Sequence, residues 1–242
     1  MSGHSHARTI MHDKGLADAK RGMAFSKLAR MISIAVKDGK DPAMNSKLRM
    51  AIDKAREINM PTDNIERAIK RGAGELEGTK LEEFIFEAFG PGKIAIIIEV
   101  ITDNKNRTLN DVKKVLNQCA GKLAATGSVR WLFERKGVIT ISLTNNQEKF
   151  NKDNLEMKAI ETGAEDIFWH EDFLDVHTKA EKLEEVKKNF EAQSIKLESS
   201  YLDWVPKETI NINEKDKANC QKLFEALNEN EDVQEIYSNL GL

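Results

Sequence analysis

The stretch Ile94-Ala-Ile-Ile-Ile-Glu-Val-Ile101 is the longest apolar run in this chain of 242 residues. It is far too short to span a bilayer, so it predicts a buried strand. The turn Gly90-Pro91-Gly92 precedes it, and before that turn Phe84 and Phe86 alternate with polar neighbours, which indicates another strand. The centre of the chain is therefore predicted to contain a β-sheet.

The segments after this run extend the pattern. A helix carrying Val112 and Leu116 on one face is followed by strands at 128–134 and 138–143. This βαββ order lacks its closing αβ half. The end of the chain can supply that half, with a helix at 216–227 and a strand at 233–238. We expect these pieces to form one ferredoxin-like domain.

The intervening residues carry an α+β pattern of their own. The pattern consists, in order, of a helix at 153–162, two strands around 165–177, a helix at 181–192 and a strand at 195–203. A complete set of elements between two halves of another domain indicates an inserted domain.

The first third of the chain is predicted to be helical. Phe25, Leu28, Ile32 and Ala35 recur at intervals of three and four residues, which places them on one stripe of a helix that ends near Gly39. Two further helices follow.

The second helix is expected to start at Asp41-Pro42, with Asp41 as the N-cap and Pro42 at the first helical position. Met60-Pro61 ends it. The spacing of Asp63 and Glu66 is that of a capping pair for a third helix, which stops at 71–74. Three short helices with one apolar stripe each predict a small bundle.

The fold class that follows is a multidomain α+β protein. A three-helix domain comes first, and two ferredoxin-like α+β domains follow, one inserted in the other. The expected boundaries are 1–78 for the helical domain, 79–148 plus 207–242 for the ferredoxin-like domain, and 149–206 for the inserted domain.

Charge is distributed unevenly along the chain. Residues 1–75 contain fifteen Lys and Arg against nine Asp and Glu, whereas the remainder contains twenty-two against thirty-one. A basic end joined to acidic domains can present a positive face to a polyanion while the rest keeps the protein soluble.

Composition and cysteine content indicate the class and compartment of the protein. A charged fraction of 32% and a mean hydropathy of -0.51 are typical of a soluble chain. The amino terminus lacks the apolar segment of a secretory signal, and Cys119 and Cys220 do not form a C-x-x-C motif. We expect a cytoplasmic protein without a disulfide framework, in which Cys119 belongs to the core.

Catalytic motifs are missing from the sequence. We find no G-x-S-x-G, no P-loop, no G-x-G-x-x-G and no H-E-x-x-H, so neither an enzyme nor a cofactor is expected. His4, His6 and His12 could in principle bind a metal, but a chain end lacks the positioned ligands that fix one. His170 and His177 fall in a predicted hairpin, and we expect them at exposed strand ends.

The sequence resembles the YebC family along essentially its whole length. The residues that carry the resemblance are Gly3-His4-Ser5, Asp18-Ala19-Lys20-Arg21-Gly22, Phe25-Ser26-Lys27-Leu28-Ala29, residues 59–69, Gly74-Glu75-Leu76, Thr102-Asp103-Asn104 with Asn106-Arg107-Thr108, and Gly127-Ser128-Val129 with Phe133 and Lys136-Gly137. The family includes the mitochondrial translational activator of cytochrome oxidase subunit one. The resemblance implies a helical domain followed by two α+β domains.

The resemblance also implies a nucleic-acid partner. Bacterial members are described as probable transcriptional regulators that bind DNA, the mitochondrial relative acts in translation, and ribosome-associated relief of stalling at proline-rich sequences has been attributed to bacterial members. We expect a translation factor of that kind, partnered by ribosomal RNA or tRNA on the ribosome. A DNA-binding transcriptional regulator is the alternative, and an enzyme of unrecognised type is a second one. Neither a membrane nor a small-molecule substrate is expected as a partner.

The expected nucleic-acid-binding residues come from three places. Those that match basic helical positions of the family are Lys20, Arg21, Lys27, Arg30, Lys54, Arg67, Lys70 and Arg71. Those of the N-terminal arm are His4, Ser5, His12 and Lys14, and those of the polar loop after the buried strand are Asn104 and Arg107. A solvated helix face, or N-cap duty in the loop, explains individual members equally well.

The sequence departs from the family at two places. Relatives usually carry Lys, Trp and further basic residues in the arm, where this chain has His6, Ala7, Met11 and Asp13. Because stacking on an aromatic side chain contributes about 1–3 kcal/mol per base, an arm without one is expected to bind RNA more weakly. Lys93 stands where the family usually has glycine, so a divergent paralogue with a shifted role is also possible.

Overall fold

The computed structural model describes residues 18–76, 78–146 and 151–241; for residues 18–20 it describes the backbone. The described chain divides into two compact units. The first unit comprises residues 18–129 and 212–237, and the second unit comprises residues 130–211 and 238–241.

The first unit begins with a three-helix bundle. Its helices are α1 (Asp18–Ala35), α2 (Ser46–Glu57) and α3 (Thr62–Gly72). α1 packs against both other helices, and the buried side chains of the three form one core that includes Leu28, Ile32 and Leu48. The predicted bundle is thus observed, and the chain leaves α1 through a short turn at Gly39, which has a φ of 136°.

The starts of α2 and α3 differ from the sequence prediction. Asn45, rather than Asp41, caps α2: its Oδ1 accepts the N–H of Leu48 at 3.0 Å, and its Nδ2 donates to the carbonyls of Ala35 and Gly39. One amide can bond both to the helix it caps and to the end of the preceding helix, which a carboxylate cannot. α3 starts after Pro61 without a side-chain cap, so the predicted pairing of Asp63 with Glu66 is wrong.

α1 and α3 cross at close range. The Ser33 hydroxyl donates to the carbonyl of Ala68 at 2.8 Å. A Cβ atom added at Gly72 would lie 2.2 Å from the carbonyl oxygen of Ser33. The absence of a side chain at Gly72 therefore sets how closely the C-terminal turn of α3 can approach α1.

The rest of the first unit is a four-stranded sheet with two helices. Its strands lie in the order β3-β1-β2-β8. They are β1 (Glu82–Phe89), β2 (Ala95–Thr102), β3 (Lys122–Leu123) and β8 (Val233–Ser238), and the helices are α4 (Lys105–Gln118) and α7 (Glu214–Asn228). The apolar run at 94–101 forms β2, which is buried and pairs antiparallel with β1, as predicted. β8 completes the sheet from the far end of the chain, also as predicted.

The turn between β1 and β2 contains Lys93, which stands where related sequences usually have glycine. Lys93 has a φ of 62°, in the left-handed region that favours glycine. A lysine at this position is therefore held in a backbone conformation that glycine adopts more easily.

The second unit is a βαββαβ domain with a four-stranded antiparallel sheet. Its elements are β4 (Phe133–Ser142), α5 (Lys152–Thr162), β5 (Asp166–His170), β6 (Phe173–Lys179), α6 (Leu183–Ala192) and β7 (Ser199–Pro206). The strand order β5-β6-β4-β7 is that of a ferredoxin-like fold. The protein is therefore an α+β protein with one such domain inserted in the chain of the other unit.

The structure of segment 128–143 differs from the sequence prediction. It was predicted to add two strands to the first sheet, whereas only one strand forms there, β4, and it belongs to the second sheet. The carboxylate of Glu87 accepts the N–H groups of Gly127 and Val129, each at 2.6 Å, and so holds a turn where the first strand was expected. The observed division of the chain thus falls near residue 130 rather than at 148.

Several smaller expectations can be compared with the structure. Cys119 is half-buried rather than in the core, and Cys220 is buried. His177 is buried, contrary to the prediction of an exposed strand end, and His170 lies 3.0 Å from the carboxylate of Asp175. Across the described ranges, no helix has the length and apolar character required to cross a membrane.

Candidate nucleic-acid interface

The C-terminal half of α3 carries three exposed cations on one side of the helix. Arg67, Lys70 and Arg71 are related by intervals of three and four residues, which makes them neighbours on the helix surface. The close crossing at Ser33 and Gly72 fixes this half of α3 against α1. We call the set of Arg67, Lys70 and Arg71 the α3 basic face.

The chemistry of this face suits phosphate. Three cations on a rigid helix can contact neighbouring phosphates, and such contacts release counterions and make binding salt-dependent. A nearby acid is already neutralised in part, because Glu75 pairs with Lys40. Hydrogen bonding and charge from Lys40, with a further contribution from Lys70, hold the pKa of the Glu75 carboxyl below its ordinary value.

Two other predicted contacts also lie on the bundle surface. Arg21 is exposed near the start of α1, and Lys54 is half-buried on α2. Their positions are compatible with the predicted role, although both side chains also have interactions within the protein.

Lys27 is placed differently, inside the first unit. Its side chain is only 6% exposed, and its ammonium donates to the carbonyl of Asn228 at 2.8 Å. Burial lowers the pKa of Lys27 from 10.5 to about 8, against the opposing influence of Glu235. A cation in this position joins α1 to the end of α7 and is not presented to a phosphate.

Arg30 and Arg107 share one carboxylate, that of Asp232, and Arg107 also pairs with Asp103 at 2.8 Å. Arg30 Nη1 lies 3.0 Å from Asp232 Oδ1, and Arg107 Nη2 lies 2.9 Å from Asp232 Oδ2. The hydroxyls of Thr108 and Thr102 donate to Oδ2 at 2.6 and 3.1 Å. This Asp232 network joins α1, the end of β2, the first turn of α4 and the residue that precedes β8.

The electrostatics of the network favour its charged form. Burial opposes ionisation of Asp232, but hydrogen bonds from Thr108 and Arg107 and the charge of Arg30 outweigh it, so the pKa of Asp232 lies below its ordinary value. The hydrogen bond to Asp232, followed by that to Asp103, raises the pKa of Arg107. Both arginines thus form ion pairs within the first unit, while 48% of the Arg107 side chain remains exposed.

Asn104 has the N-cap role that the sequence left open. Its side chain accepts the N–H of Arg107 at 3.1 Å at the start of α4. Residues 102–108, which the sequence indicates as a polar loop, comprise the end of β2, two connecting residues and the first turn of α4. Several of their side chains bond within the first unit. Asp232 was missed because its sequence neighbours give no signal of a partner 125 residues away.

The remaining predicted residues lie outside the described part of the chain. They are His4, Ser5, His12 and Lys14, while only the backbone of Lys20 is described, in α1. Within residues 18–76, 78–146 and 151–241, no group of three or more His, Cys, Asp or Glu side chains is arranged to hold a metal ion.

Comparison with known proteins finds family matches along nearly the whole chain. A family model described as the TACO1/YebC protein N-terminal domain matches residues 5–75, and one described as the TACO1/YebC second and third domain matches residues 81–240. The chain is 45% identical over 244 residues to a probable transcriptional regulatory protein of Halothermothrix orenii, covering 100% of this chain and 96% of that protein. A protein of the same description from Maridesulfovibrio salexigens is 43% identical over 239 residues, covering 99% and 95%.

A solved structure agrees with the fold. The crystal structure of a conserved hypothetical protein from Aquifex aeolicus superposes with a TM-score of 0.84 at 42% identity, covering 96% of this chain and 95% of that chain. With family matches to both the helical and the α+β parts, and relatives of similar length throughout, the chain belongs to the TACO1/YebC family.

Proposed function

We propose that this protein is a non-enzymatic, nucleic-acid-binding regulator of gene expression that acts on the ribosome and eases peptide-bond formation at proline-rich stretches. The observation that carries the nucleic-acid part is the α3 basic face, an exposed group of three cations on a helix held rigidly by its crossing with α1. The ribosomal part follows from the resemblance to translation factors of the family.

The distribution of charge along α3 favours recognition of phosphates over recognition of base edges. In a helix-turn-helix protein the N-terminal residues of the second helix contact base edges in the major groove. Here the N-terminal half of α3 carries Asp63 and Glu66, both exposed, and the cations follow at its C-terminal end. In the major groove these acidic side chains would be repelled by the phosphates of DNA. Binding through shape and phosphate contacts therefore suits α3 better than base recognition.

The mechanism that this arrangement allows needs no chemistry on a substrate. Positioning of RNA requires fixed charges on a stiff support, and the Asp232 network stiffens the first unit by joining its bundle to its sheet. We infer that the bound protein steadies the acceptor end of a tRNA near the peptidyl transferase centre, which favours attack on a slowly reacting proline ester.

The second candidate function is DNA-binding transcriptional regulation. It is favoured by the description of the Halothermothrix orenii and Maridesulfovibrio salexigens relatives as probable transcriptional regulatory proteins. The α3 basic face would serve either partner, because phosphates of RNA and DNA present the same charge.

A reconstituted translation system separates the two candidates. The full chain should raise synthesis of a reporter with a proline run more than that of a matched reporter without one. A triple variant Arg67→Glu, Lys70→Glu and Arg71→Glu should lose this effect, and removal of residues 2–13 should lessen it. The matched control reverses three exposed lysines of the second unit, Lys182, Lys188 and Lys196, and should behave as the unmodified chain.

The opposite outcome is equally definite. If the reporter ratio stays at one while the protein binds a promoter fragment much more tightly than random duplex DNA, the ribosomal function is wrong and the transcriptional one replaces it.

A further inference from the structure

The second unit presents an exposed tryptophan at the start of β4. Arg130, Trp131 and Leu132 form one helical turn, and 65% of Trp131 is exposed. The residues on either side of the turn, Val129 and Phe133, are buried, so the turn is anchored at both ends. Tryptophan is highly buried on average, and an indole this exposed on an anchored turn offers a flat aromatic surface to a ligand.

Positive charge is held beside this turn by a second tryptophan. Trp204 on β7 is buried, and the guanidinium carbons of Arg130 and Arg135 lie 4.8 and 5.1 Å from its ring centroid. Cation–π contacts of this kind fix the position of a guanidinium. Lys207 is brought to the same place because its N–H donates to the carbonyl of Leu132 at 2.9 Å. We call Arg130, Trp131, Arg135 and Lys207 the Trp131 patch.

The patch contrasts with the rest of its unit. Residues 130–211 contain twelve Lys and Arg against seventeen Asp and Glu, so the unit as a whole is acidic. A ligand attracted to this place must therefore match the local combination of a largely exposed indole and cations. A nucleotide has both complements, since its base stacks on an aromatic ring and its phosphate pairs with arginine.

We propose that the Trp131 patch binds an unpaired nucleotide of RNA, with the base stacked on Trp131 and its phosphate paired with Arg130 and Arg135. The base must be unpaired because a duplex buries both faces of each base in its own stack. An apolar protein partner fits less well, because the neighbours of Trp131 within the patch are cationic. The proposal rests on the proposed function in taking RNA as the partner, but it concerns a surface separate from the α3 basic face.

The test uses the full chain and two RNA probes of equal length, a fluorescein-labelled 12-mer of uridine and a labelled RNA duplex. Trp131→Ala should weaken binding of the single strand about 5- to 100-fold, the range expected for loss of one stacked base. Trp131→Tyr keeps an aromatic ring and should remain within about threefold of the unmodified chain. Met157→Ala, which removes another exposed apolar side chain of the same unit, is the control and should have no effect.

Distinct results overturn the proposal. Unchanged affinity of Trp131→Ala for the single strand contradicts it, and so does an equal loss on the duplex or in the Met157 control. A loss of ribosome binding without any loss on the free oligonucleotide would assign the patch to a protein contact instead. The triple reversal of the α3 basic face tests the proposed function independently. If that variant still binds ribosomes while Trp131→Ala weakens binding of the single strand, the proposed function is wrong and the nucleotide site at the Trp131 patch is supported.

Discussion

Lys27 shows how the surroundings of one residue decide its role. The sequence places it among the cations expected to contact phosphate, yet the residue is only 6% exposed and its ammonium bonds to a carbonyl 201 residues away. Burial lowers its pKa to about 8, whereas the unfolded chain keeps the ordinary value of 10.5. Between these values the unfolded state binds more protons than the folded state, so the stability of the protein rises with pH across that window.

This linkage can be measured with Lys27→Met. Relative to the variant, the unmodified chain should gain on the order of 2 kcal/mol in free energy of unfolding between pH 7 and pH 10. Urea unfolding at four pH values gives the free energy of unfolding as a function of pH for both proteins. Lys70→Met, at an exposed position, is the control and should show the same pH dependence as the unmodified chain. Curves for Lys27→Met and the unmodified chain that run parallel would show that Lys27 is not desolvated.

At the scale of elements, sequence periodicity predicted most of the structure, and contacts from distant residues account for what it missed. The apolar stripes placed the helices of the bundle and the run at 94–101 placed β2. The start of the strand expected at 128–134 is a turn, because Glu87, some forty residues earlier, accepts the N–H groups of Gly127 and Val129. The N-cap of α2 is Asn45, whose side chain also bonds to the carbonyls of Ala35 at the end of α1 and of Gly39.

The crossing of α1 with α3 gives a prediction for two glycines in helices of the same bundle. Gly72→Ala should destabilise the protein by about 2–3 kcal/mol, because the new Cβ would meet the backbone of Ser33 at 2.2–2.8 Å. Gly22→Ala should instead stabilise it by about 0.5–1 kcal/mol, since nothing lies within 4 Å and alanine favours the helix. Denaturant unfolding of both variants provides the comparison, and equal effects of the two would contradict the close crossing.

At the scale of the whole molecule, six of the predicted cations fall into two groups. Lys27, Arg30 and Arg107 hold the first unit together through partners more than a hundred residues away in sequence, which no local pattern could reveal. Arg67, Lys70 and Arg71 are exposed on α3 and carry the proposed interface. The family resemblance marked both groups alike, because an internal cation and a phosphate-binding cation have the same residue type.

The Asp232 network predicts a large difference between neighbouring acids. Asp232→Ala leaves Arg30 and Arg107 without their shared carboxylate and should lower the free energy of unfolding by about 2–4 kcal/mol. Glu231→Ala should change it by less than about 0.5 kcal/mol, because that side chain is 57% exposed and 3.7 Å from Arg30.

The same network predicts the response to acid. The pKa of Asp232 is lower in the folded protein than in the unfolded chain, so its contribution is complete above the ordinary value near 3.8 and is lost as the pH falls below it. The stability difference between the unmodified chain and Asp232→Ala should therefore shrink below about pH 4, and a difference that persists unchanged to pH 2 would contradict the assignment.

Cosedimentation with ribosomes across a salt series tests the nucleic-acid interface most directly. The unmodified chain, the triple reversal at Arg67, Lys70 and Arg71, and the matched reversal at Lys182, Lys188 and Lys196 are compared at equal concentration. We expect the α3 variant to bind about tenfold more weakly or worse and its salt dependence to fall by about two released counterions, while the matched variant sediments like the unmodified chain. Equal losses from the two reversals, or none from the α3 variant, would contradict it.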